Sequence, residues 1–372
     1  MSSRNDYMLR GSLARRGYDW WWHSLVGKSK RTGAEQPFFI EYYVINPALG
    51  GAEPILGQHP ESKRRGLKPS YAMLKAGTWA PKAARQIHNF FGIQKLEVQS
   101  SPLAVRIGDA TLSETHLEGS VAVTPEEAAA HPELMCDGGR MSWKLEAEKV
   151  LHYDVGFGAS APFRAANAFQ MFWHVEGMLT RYRGSLELDG EGFEVDPATC
   201  GGYQDKNWGT DYTSPWVWLS CNRFRRRGSS KVLELTSLDV GGAQPVLFGR
   251  ALERRLLVAF HHEGTLHEFN FSKFWTRPGQ RFDCHAEPDA IVWKLEAWNS
   301  TAKVVIDFRC ARETMLKVNY ENPDGEWRHK DLWNGGWGQG TLDLYRKTAQ
   351  GYELAESFDG ELAGCEYGEE SR

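Results

Sequence analysis

The sequence predicts an all-β protein that consists of two antiparallel β-sandwich or β-barrel units in tandem, with few short helices. Three observations support this fold class. Most of the chain divides into short runs rich in Val, Ile, Phe, Tyr, Trp and Thr, which are the residue types enriched in strands. Turn-forming dipeptides such as Asp189-Gly190 and Asp359-Gly360 separate these runs. Helical spacing is scarce, so the sequence offers no crossover helices for a parallel sheet.

Repeated stretches of sequence predict that the two units are structurally similar. The pentapeptide Trp-Lys-Leu-Glu-Ala occurs twice, and two other stretches recur before and after it in the same order. The paired stretches are 116–120 with 262–265, 143–147 with 293–297, and 184–188 with 340–344. The aromatic strand over 37–46 would open the first unit and that over 215–224 the second. We therefore expect an N-terminal β-barrel-like domain over residues 1–212 and a C-terminal one over residues 213–372.

Two helices and one insertion are predicted in the first unit. A helix over 125–130 is expected because Thr124 can cap its first turn, where acidic residues lie near the positive end of the helix dipole. A second helix is expected around residues 81–91. The segment 50–93 otherwise predicts a long basic insertion, since prolines interrupt it and its part after residue 63 carries no acidic side chain.

Composition excludes several classes of protein. The chain has 372 residues, a formal net charge of −4 and a pI near 6.3, which removes the global electrostatic argument for a nucleic-acid binder. No apolar run has the length of a signal peptide core or of a membrane span, and the mean hydropathy is −0.51. The six cysteines are scattered without a Cys-x-x-Cys pair, as in a reducing cytoplasm. We expect a cytoplasmic protein whose partner is a hydrophobic small molecule.

The segment 201–222 concentrates charged, amide and aromatic side chains. An extended conformation over 203–208 would place odd-numbered and even-numbered residues on opposite faces of a strand. The first face would hold Tyr203, Asp205 and Asn207, and the second Lys206 and Trp208. A carboxyl among aromatic rings loses hydration, which raises its pKa and suits it to general acid catalysis near neutral pH. The alternative is that Asp205 and Lys206 stabilise a turn between the units while the tryptophans belong to the core.

Two further strands, over 38–46 and 169–178, also place ionisable groups on aromatic faces. The residues that share these faces are Phe39, Glu41 and Tyr43 on the first strand and Phe172, His174 and Glu176 on the second. If the faces converge on one barrel lumen, they form an apolar cup with a few ionisable groups, as small-molecule sites usually do. The alternative for each strand alone is that Glu41 faces solvent and that His174 is a hydrogen-bonded core imidazole.

Two motifs resemble cofactor sites but lack the required context. The histidine-rich run over 261–267 does not have the His-Glu-x-x-His spacing, and adjacent histidines on a strand point to opposite faces. The glycine-rich run over 335–340 precedes a strand-like segment, whereas a phosphate-binding loop requires a helix N-terminus. We therefore predict no metal site and no cofactor.

One group of motifs resembles a known family. Asp-Lys-Asn-Trp-Gly at 205–209 is followed by Trp-x-Trp-x-x-Cys-Asn at 216–222 and preceded by a hairpin at 184–190. This pattern resembles the tocopherol cyclase family, most strongly over about residues 170–224. The wider group includes carotenoid 1,2-hydratases and lipocalin-like pericyclases. The resemblance implies two lipocalin-like β-barrel units and a hydrophobic polyene or prenylated substrate.

Together with the resemblance, the candidate residues suggest a cofactor-independent isomerase, an intramolecular lyase. It would close an oxygen heterocycle, or add water, across a carbon–carbon double bond of an unsaturated or phenolic molecule. The catalytic candidates are Asp205, Glu176, His174, Tyr203 and Glu41, and the substrate-binding candidates are Tyr43, Lys206, Asn207, Trp208, Trp216, Trp218, Phe39 and Phe172. Asp205 would protonate the alkene, with Glu176 or Glu41 as the alternative acid, and tryptophan faces would stabilise the cation. The alternatives are a non-catalytic carrier and a pericyclase that acts by folding its substrate.

Overall fold

The computed structural model describes residues 4–155, 161–212, 216–318, 320–326 and 332–368, and it confirms the all-β fold class. The first sheet comprises β1 (Tyr18–Ser29), β2 (Glu35–Ile45), β3 (Tyr71–Thr78), β4 (Arg85–Phe91), β5 (Leu96–Ser100), β6 (Leu103–Ile107), β7 (Ala110–Ser113), β8 (His116–Val123), β9 (Gly139–Tyr153), β10 (Met171–Leu188), β11 (Glu191–Val195) and β12 (Gly202–Gly209).

The remaining strands follow in the second half of the chain. They are β13 (Trp216–Cys221), β14 (Phe224–Arg226), β15 (Thr236–Ala243), β16 (Val246–Leu247), β17 (Arg250–Ala251), β18 (Arg255–His262), β19 (Thr265–Phe269), β20 (Gly279–Ala286), β21 (Ala290–Trp298), β22 (Ala302–Ala311), β23 (Met315–Val318), β24 (Leu332–Thr348) and β25 (Gly351–Gly368). All except β16 and β17, which form a separate hairpin, belong to the second sheet. The sheet thus changes between β12 and β13, and the division into domains at residue 212 stays a prediction.

The helices are short. The α-helices are α1 (Leu13–Arg16), α2 (Pro60–Arg64), α3 (Pro125–Ala130) and α4 (Ala161–Ala165), and the 3-10 turns are η1 (Ile93–Lys95), η2 (Pro132–Leu134), η3 (Phe274–Thr276) and η4 (Arg312–Thr314). Helix α3 has the predicted bounds, and a capping box fixes its start: Glu127 N donates to Thr124 Oγ1 at 3.1 Å, and Thr124 N to Glu127 Oε2 at 2.9 Å. Among the described residues, no helix is both long enough and apolar enough to cross a membrane.

The helix predicted around residues 81–91 is wrong. Residues 85–91 form β4, which pairs antiparallel with β3, and β3 in turn pairs with β2. The predicted insertion over 50–93 therefore contains two strands of the first sheet. Asn89 on β4 donates to the carbonyl of Ala122 on β8 and accepts from its N–H, both at 2.9 Å. These bonds hold β4 against β8 and curl the sheet into a barrel-like unit.

The two sheets share one strand order, which confirms two similar units. The first runs β4-β3-β2-β1-β11-β10-β9-β8-β7-β6-β5. Strand β12 also pairs with both β1 and β10. The second runs β19-β18-β15-β13-β25-β24-β22-β21-β20. Strand β1 thus corresponds to β13, so the first unit opens with β1 and not with the strand over 37–46.

The repeated stretches match this correspondence only in part. Stretches 184–188 and 340–344 lie on β10 and β24, which occupy equivalent places. Stretch 143–147 lies on β9, the equivalent of β22, whereas 293–297 lies on β21. Stretch 262–265 forms the turn between β18 and β19. The repeated pentapeptide therefore does not mark equivalent positions.

Three apolar clusters form the core. One fills the first unit around Trp143, and a second fills the second unit around Trp293. The third cluster combines residues of both sheets, among them Trp20 and Trp173 of the first and Trp218 of the second. We call the space occupied by this third cluster the inter-sheet interface. It contains the buried acids described next.

Candidate active site

The centre of the candidate site lies on β12. This strand is paired on both sides, with β1 and β10, so its side chains alternate between two buried faces. Tyr203 and Asp205 point into the inter-sheet interface, where they contact Trp218 and Trp173. Lys206 points into the core of the first unit. The structure therefore has the alternation that the sequence predicts.

Asp205 is a buried carboxyl with aromatic hydrogen-bond donors. Its Oδ2 accepts from Trp173 Nε1 at 2.7 Å and from the Tyr203 hydroxyl at 3.3 Å, while its Oδ1 has no hydrogen-bond partner among the described residues. Burial raises the pKa of Asp205 to about 8 because the charged form loses its hydration, and the charge of Glu366 contributes to this. The hydrogen bonds from Trp173 and Tyr203 lower the pKa of Asp205 but do not cancel the effect of burial. Asp205 is therefore mostly protonated at neutral pH.

Tyr203 connects Asp205 to a second buried carboxyl, Asp239 of β15. The Tyr203 hydroxyl lies 3.2 Å from Asp239 Oδ2, and Trp218 Nε1 donates to it at 3.2 Å. A phenol hydroxyl donates one hydrogen and accepts at most two. Trp218 uses one acceptor position, and the single hydroxyl hydrogen can be donated to only one carboxyl at a time. A proton on either carboxyl would therefore allow Tyr203 to form hydrogen bonds with both.

Burial also raises the pKa of Asp239 well above its usual range, and the charge of Asp205 adds to the shift. If both carboxyls were ionised, their negative charges would repel each other in an environment with little water. A shared proton is the usual solution for such a pair, whose titration then belongs to both groups. We refer to Asp205, Tyr203 and Asp239 as the proton bridge.

A third carboxyl, Glu366 of β25, lies in the same interface. Its Oε2 accepts from Trp216 Nε1 and its Oε1 from Asn334 Nδ2, both at 2.6 Å. Trp79 Nε1 donates to Asn334 Oδ1 at 2.7 Å, which fixes the orientation of that amide. Burial raises the pKa of Glu366, whereas the donors from Asn334 and Trp216 lower it. Burial is the largest effect, so the pKa of Glu366 stays above its usual value, while the two donors favour its ionised form.

Glu41 of β2 is buried in the interface and does not face solvent. Its Oε2 lies 3.5 Å from Lys75 Nζ, and the Tyr320 hydroxyl donates to the same oxygen at 3.5 Å. Burial raises the pKa of Glu41, and Lys75 and Tyr320 lower it. Burial keeps the pKa of Glu41 above its usual value, but Glu41 has a buried ammonium partner that favours its ionised form, whereas the hydrogen-bond donors to Asp205 are Trp173 and Tyr203.

An aromatic pocket lies beside Glu366. Its lining residues are Trp20, Met171, Tyr212, Trp216, Tyr320, Leu332 and Glu366. The free space at its centre is about 20 Å³, which is about the room that one water molecule needs. A larger ligand can enter only if these rings move apart. Trp216 is the half-buried aromatic ring of the wall, so it is the ring with the fewest constraints.

Two glycines of the second sheet let indole rings of the first sheet reach the interface. A Cβ on Gly241 would lie 2.4 Å from the ring of Trp173, and a Cβ on Gly336 would lie 2.2 Å from the ring of Trp79. Both separations are far below van der Waals contact, so a side chain at either position would displace the indole. These two indoles are the donors to Asp205 and Asn334.

Three residues predicted to bind substrate lie instead in the core of the first unit. The Lys206 ammonium forms an ion pair with Asp19 and lies over the rings of Trp21 and Trp208, at 3.9 and 5.6 Å from their centroids. Phe172 stacks on Trp208 with 5.3 Å between ring centroids. Since these side chains point away from Asp205 and are fully occupied with one another, we leave them out of the candidate site.

His174 and Glu176 form a separate buried group. His174 Nε2 lies 3.4 Å from Glu176 Oε1, and Lys149 pairs closely with both Glu176 and Glu114. Burial raises the pKa of Glu176, but His174 and Lys149 outweigh it and lower the pKa below its usual range. Glu176 is therefore ionised at neutral pH, which removes it as the alternative acid. His174 is a buried imidazole near this charge, as the alternative interpretation of the sequence has it.

The other predicted residues face the inter-sheet interface. Phe39 packs on Trp79 with 4.8 Å between ring centroids, and the Tyr43 hydroxyl lies 2.7 Å from that of Tyr212. Asn207 is buried, and its Oδ1 has no hydrogen-bond partner among the described residues. Tyr203, Trp216 and Trp218 face the same interface, in which Asp205 and Glu41 are buried.

The expectation that these faces converge on the lumen of one barrel is wrong. The lumen of the first unit is filled by its own apolar cluster, and the acids lie between the two sheets. Asp239 and Glu366 are absent from the sequence-based candidates because both come from the second unit. Each is an acidic residue within a buried strand: Asp239 lies in Ser-Leu-Asp-Val and Glu366 in Cys-Glu-Tyr. An acidic residue among strand-forming apolar residues is the same signal that identified Asp205.

Comparison with known proteins connects this site to one family. A family model described as "Tocopherol cyclase-like" matches residues 130–369, which include Asp205, Asp239 and Glu366. A protein of Oryza sativa subsp. japonica named a probable chloroplastic tocopherol cyclase is 34% identical over 117 residues, as is the chloroplastic tocopherol cyclase of Zea mays. Each match covers 31% of this chain and 22% of the relative, so the chain spans about a fifth of the length of these relatives.

Two solved structures are similar over most of the chain. An AttH-type protein of Nitrosomonas europaea has a TM-score of 0.43 and 12% identity, and the match covers 92% of both chains. CghA in complex with Sch210972 has a TM-score of 0.46 and 10% identity, covering 96% of this chain and 89% of the other. The family match extends over well more than half of the sequence and across both sheets, and on that ground the chain belongs to the tocopherol cyclase-like family.

Proposed function

We propose that this protein is a cofactor-independent isomerase of the cyclase type, which closes an oxygen heterocycle on a hydrophobic, unsaturated phenol. The observation that carries the proposal is the proton bridge: Asp205 is buried, its pKa of about 8 keeps it mostly protonated near neutral pH, and the Tyr203 hydroxyl lies 3.3 Å from Asp205 Oδ2 and 3.2 Å from Asp239 Oδ2. A proton donor of this kind is what the protonation of an unactivated alkene requires. Membership in the tocopherol cyclase-like family supports the same reaction class.

In the proposed reaction, Asp205 transfers its proton to one carbon of the double bond. A new C–H bond forms, the π bond breaks, and the positive charge develops on the other carbon. The substrate hydroxyl attacks that carbon to form the C–O bond, and its proton passes to Glu366. The product is an isomer of the substrate, so no oxidant, reductant or second substrate is consumed. Glu366 then releases the proton and Asp205 regains one, which restores both carboxyls.

The pocket beside Glu366 supplies the environment that the cation needs. Aromatic faces such as those of Trp20, Trp216 and Tyr320 attract positive charge, with about 0.5 to 2 kcal/mol for each well-placed ring. In its ionised form, which the donors from Trp216 and Asn334 favour, Glu366 would add an opposite charge in a space with little water, where electrostatic interactions are strong. Two carboxyls with different environments thus divide the roles, Asp205 as the acid and Glu366 as the base.

The experiment that tests this proposal is ring closure of a prenylated hydroquinone in D₂O. We expect the cyclised product to carry one deuterium on carbon, because the proton bridge exchanges with solvent and Asp205 delivers its hydrogen to the alkene. Mass spectrometry measures the shift of one mass unit. A carrier would return the hydroquinone unchanged, which contradicts the proposal. A pericyclic closure would also place one deuterium on carbon, because the phenol hydrogen itself exchanges with D₂O, but it would not need the acid, so full turnover by Asp205→Asn would contradict the proposal as well.

The pH dependence of turnover follows from the pKa of Asp205. Its pKa in the folded protein is raised to about 8, so the acid form predominates below this pH and is lost above it. We expect kcat to fall as the pH rises through about 8 and to be nearly constant from about pH 6 to about pH 7. Initial rates at saturating substrate measure the profile. A kcat that rises through the same range would show that the ionised form is active and contradict the role of Asp205 as the acid.

A further inference from the structure

A group of three potential metal ligands lies outside the inter-sheet interface. His59 precedes α2, whereas His131 and Glu133 lie where α3 ends and the η2 turn begins. We propose that these three side chains form a binding site for one divalent transition-metal ion of the zinc type. The site is independent of the proposed cyclase reaction, since none of its residues contacts Asp205, Asp239 or Glu366.

The three donor atoms are close enough to share one ion. One ligand atom from each residue can be chosen so that all lie within 4.8 Å of one another. His59 Nε2 lies 3.7 Å from Glu133 Oε1, and His131 Nδ1 lies 3.4 Å from the same oxygen. Ligands bound to a tetrahedral zinc at about 2.0–2.2 Å are about 3.3–3.6 Å apart. The donor separations therefore match those around one ion, and rotation of the imidazole side chains would complete the coordination.

His59 Nε2 provides an independent observation. The atom is buried, yet it has no hydrogen-bond partner among the described residues. A buried polar atom without a partner is costly, and a bound cation would satisfy it through the nitrogen lone pair. The His59 and His131 rings stack with 4.8 Å between centroids and 15° between planes, so their in-plane lone pairs run nearly parallel and the rings must rotate for both nitrogens to point at one ion.

The backbone on both sides of the site is held by hydrogen bonds. Lys63 N donates to the His59 carbonyl at 3.0 Å, and Leu134 N donates to the His131 carbonyl at 3.0 Å. The capping box of α3, formed by Thr124 and Glu127, fixes the helix that leads to His131. Because the backbone that carries the ligands is already ordered, little conformational entropy is lost when an ion binds.

The donor set selects the class of ion. Two imidazoles and one carboxylate suit Zn²⁺ and similar borderline ions, whereas Mg²⁺ and Ca²⁺ prefer oxygen ligands only. Three protein ligands leave at least one coordination position for water or for another ligand. The ion would also connect the segment around residue 59 to that around residue 131, so it should stabilise this side of the first unit.

The test is calorimetric titration of the full-length, chelator-treated protein with ZnCl₂. We expect one equivalent to bind, and we expect His131→Ala and Glu133→Gln to weaken binding by at least about tenfold. The matched control is His116→Ala, because His116 Nε2 also lies 3.3 Å from a carboxylate, that of Glu118, but has no second imidazole. The control should bind zinc as the wild type does.

Two further measurements separate this site from thiols and from unfolding. Co²⁺ in place of Zn²⁺ should give visible d–d bands without the near-ultraviolet band of a thiolate ligand, which excludes binding by the cysteines. Zinc should raise the midpoint of thermal unfolding of the wild type and of His116→Ala, but not of His131→Ala. Absence of saturable zinc binding, or equal binding by wild type and a His59→Ala/His131→Ala variant that folds normally, would overturn the proposal.

Discussion

Replacement of Asp205 by Asn should lower kcat by about 10² to 10⁴-fold while substrate affinity changes little. Asn has nearly the same shape as Asp and can still accept from Trp173 and Tyr203, but it has no acidic proton to give to the alkene. Single-turnover rates and substrate affinity, measured separately, check this. The matched control is Glu176→Gln, which removes an acid that is already ionised and lies on the other face, so its kcat should stay within about threefold of wild type.

Stability measurements at several pH values show whether lost turnover reflects lost structure. The pKa of Asp205 is raised from 3.8 to about 8 in the folded protein, so the unfolded state releases this proton first as the pH rises. The contribution of Asp205 to stability is therefore complete below about pH 4 and is lost as the pH rises through 8. An amide in its place cannot ionise, hence Asp205→Asn should gain stability relative to wild type from about pH 4 to about pH 8. An inactive variant that is also less stable at every pH would point to misfolding and not to a missing acid.

The sequence predicts much of this site because a strand has a fixed period. An alternation of two over 203–208 separates Asp205 from Lys206 in any extended conformation, and the structure has that separation. The alternation does not predict which part of the protein packs against each face of the strand. The face of Asp205 meets the second sheet and that of Lys206 meets the core of the first unit, and only the packing of two sheets determines this.

Long-range pairing also explains the errors in the fold. Residues 85–91 include Ile87, Phe90 and Phe91, which favour strands, yet local spacing over seven residues is ambiguous and also admits a helix. Pairing with β3 decides the outcome. The repeated pentapeptide indicates two similar units, but strand order is set by which strands pair, and 293–297 occupies the place that corresponds to β8. Asp239 could not be predicted for the same reason, since the sequence of one unit does not indicate which residues of the other unit it contacts.

Replacement of Lys206 by Met should destabilise the protein by about 3–5 kcal/mol, the cost of leaving one charge of a buried ion pair without its partner. Lys206 and Asp19 are both fully buried, and Met8 N is the remaining donor to the Asp19 carboxylate, at 2.8 Å. Urea unfolding near pH 7 measures the loss. The matched control is Lys303→Met, because Lys303 also has a carboxylate partner, Glu296, but at a partly exposed site where such a pair contributes about 0–1 kcal/mol.

The pH dependence and a double variant identify the cause. Burial raises the pKa of Asp19 to about 6 although the Lys206 charge opposes the rise, so without Lys206 the pKa should be higher still. Because protonated Asp19 needs no cation, the loss in Lys206→Met should shrink as the pH falls through the raised pKa of the variant toward about 6 and stay level below it, and Asp19→Asn/Lys206→Met should recover much of the stability. If the double variant were as unstable as the single one, the uncompensated charge would not be the cause. Turnover per folded molecule should remain near wild type, since Lys206 points away from Asp205; a raised KM would instead restore it as a substrate-binding residue.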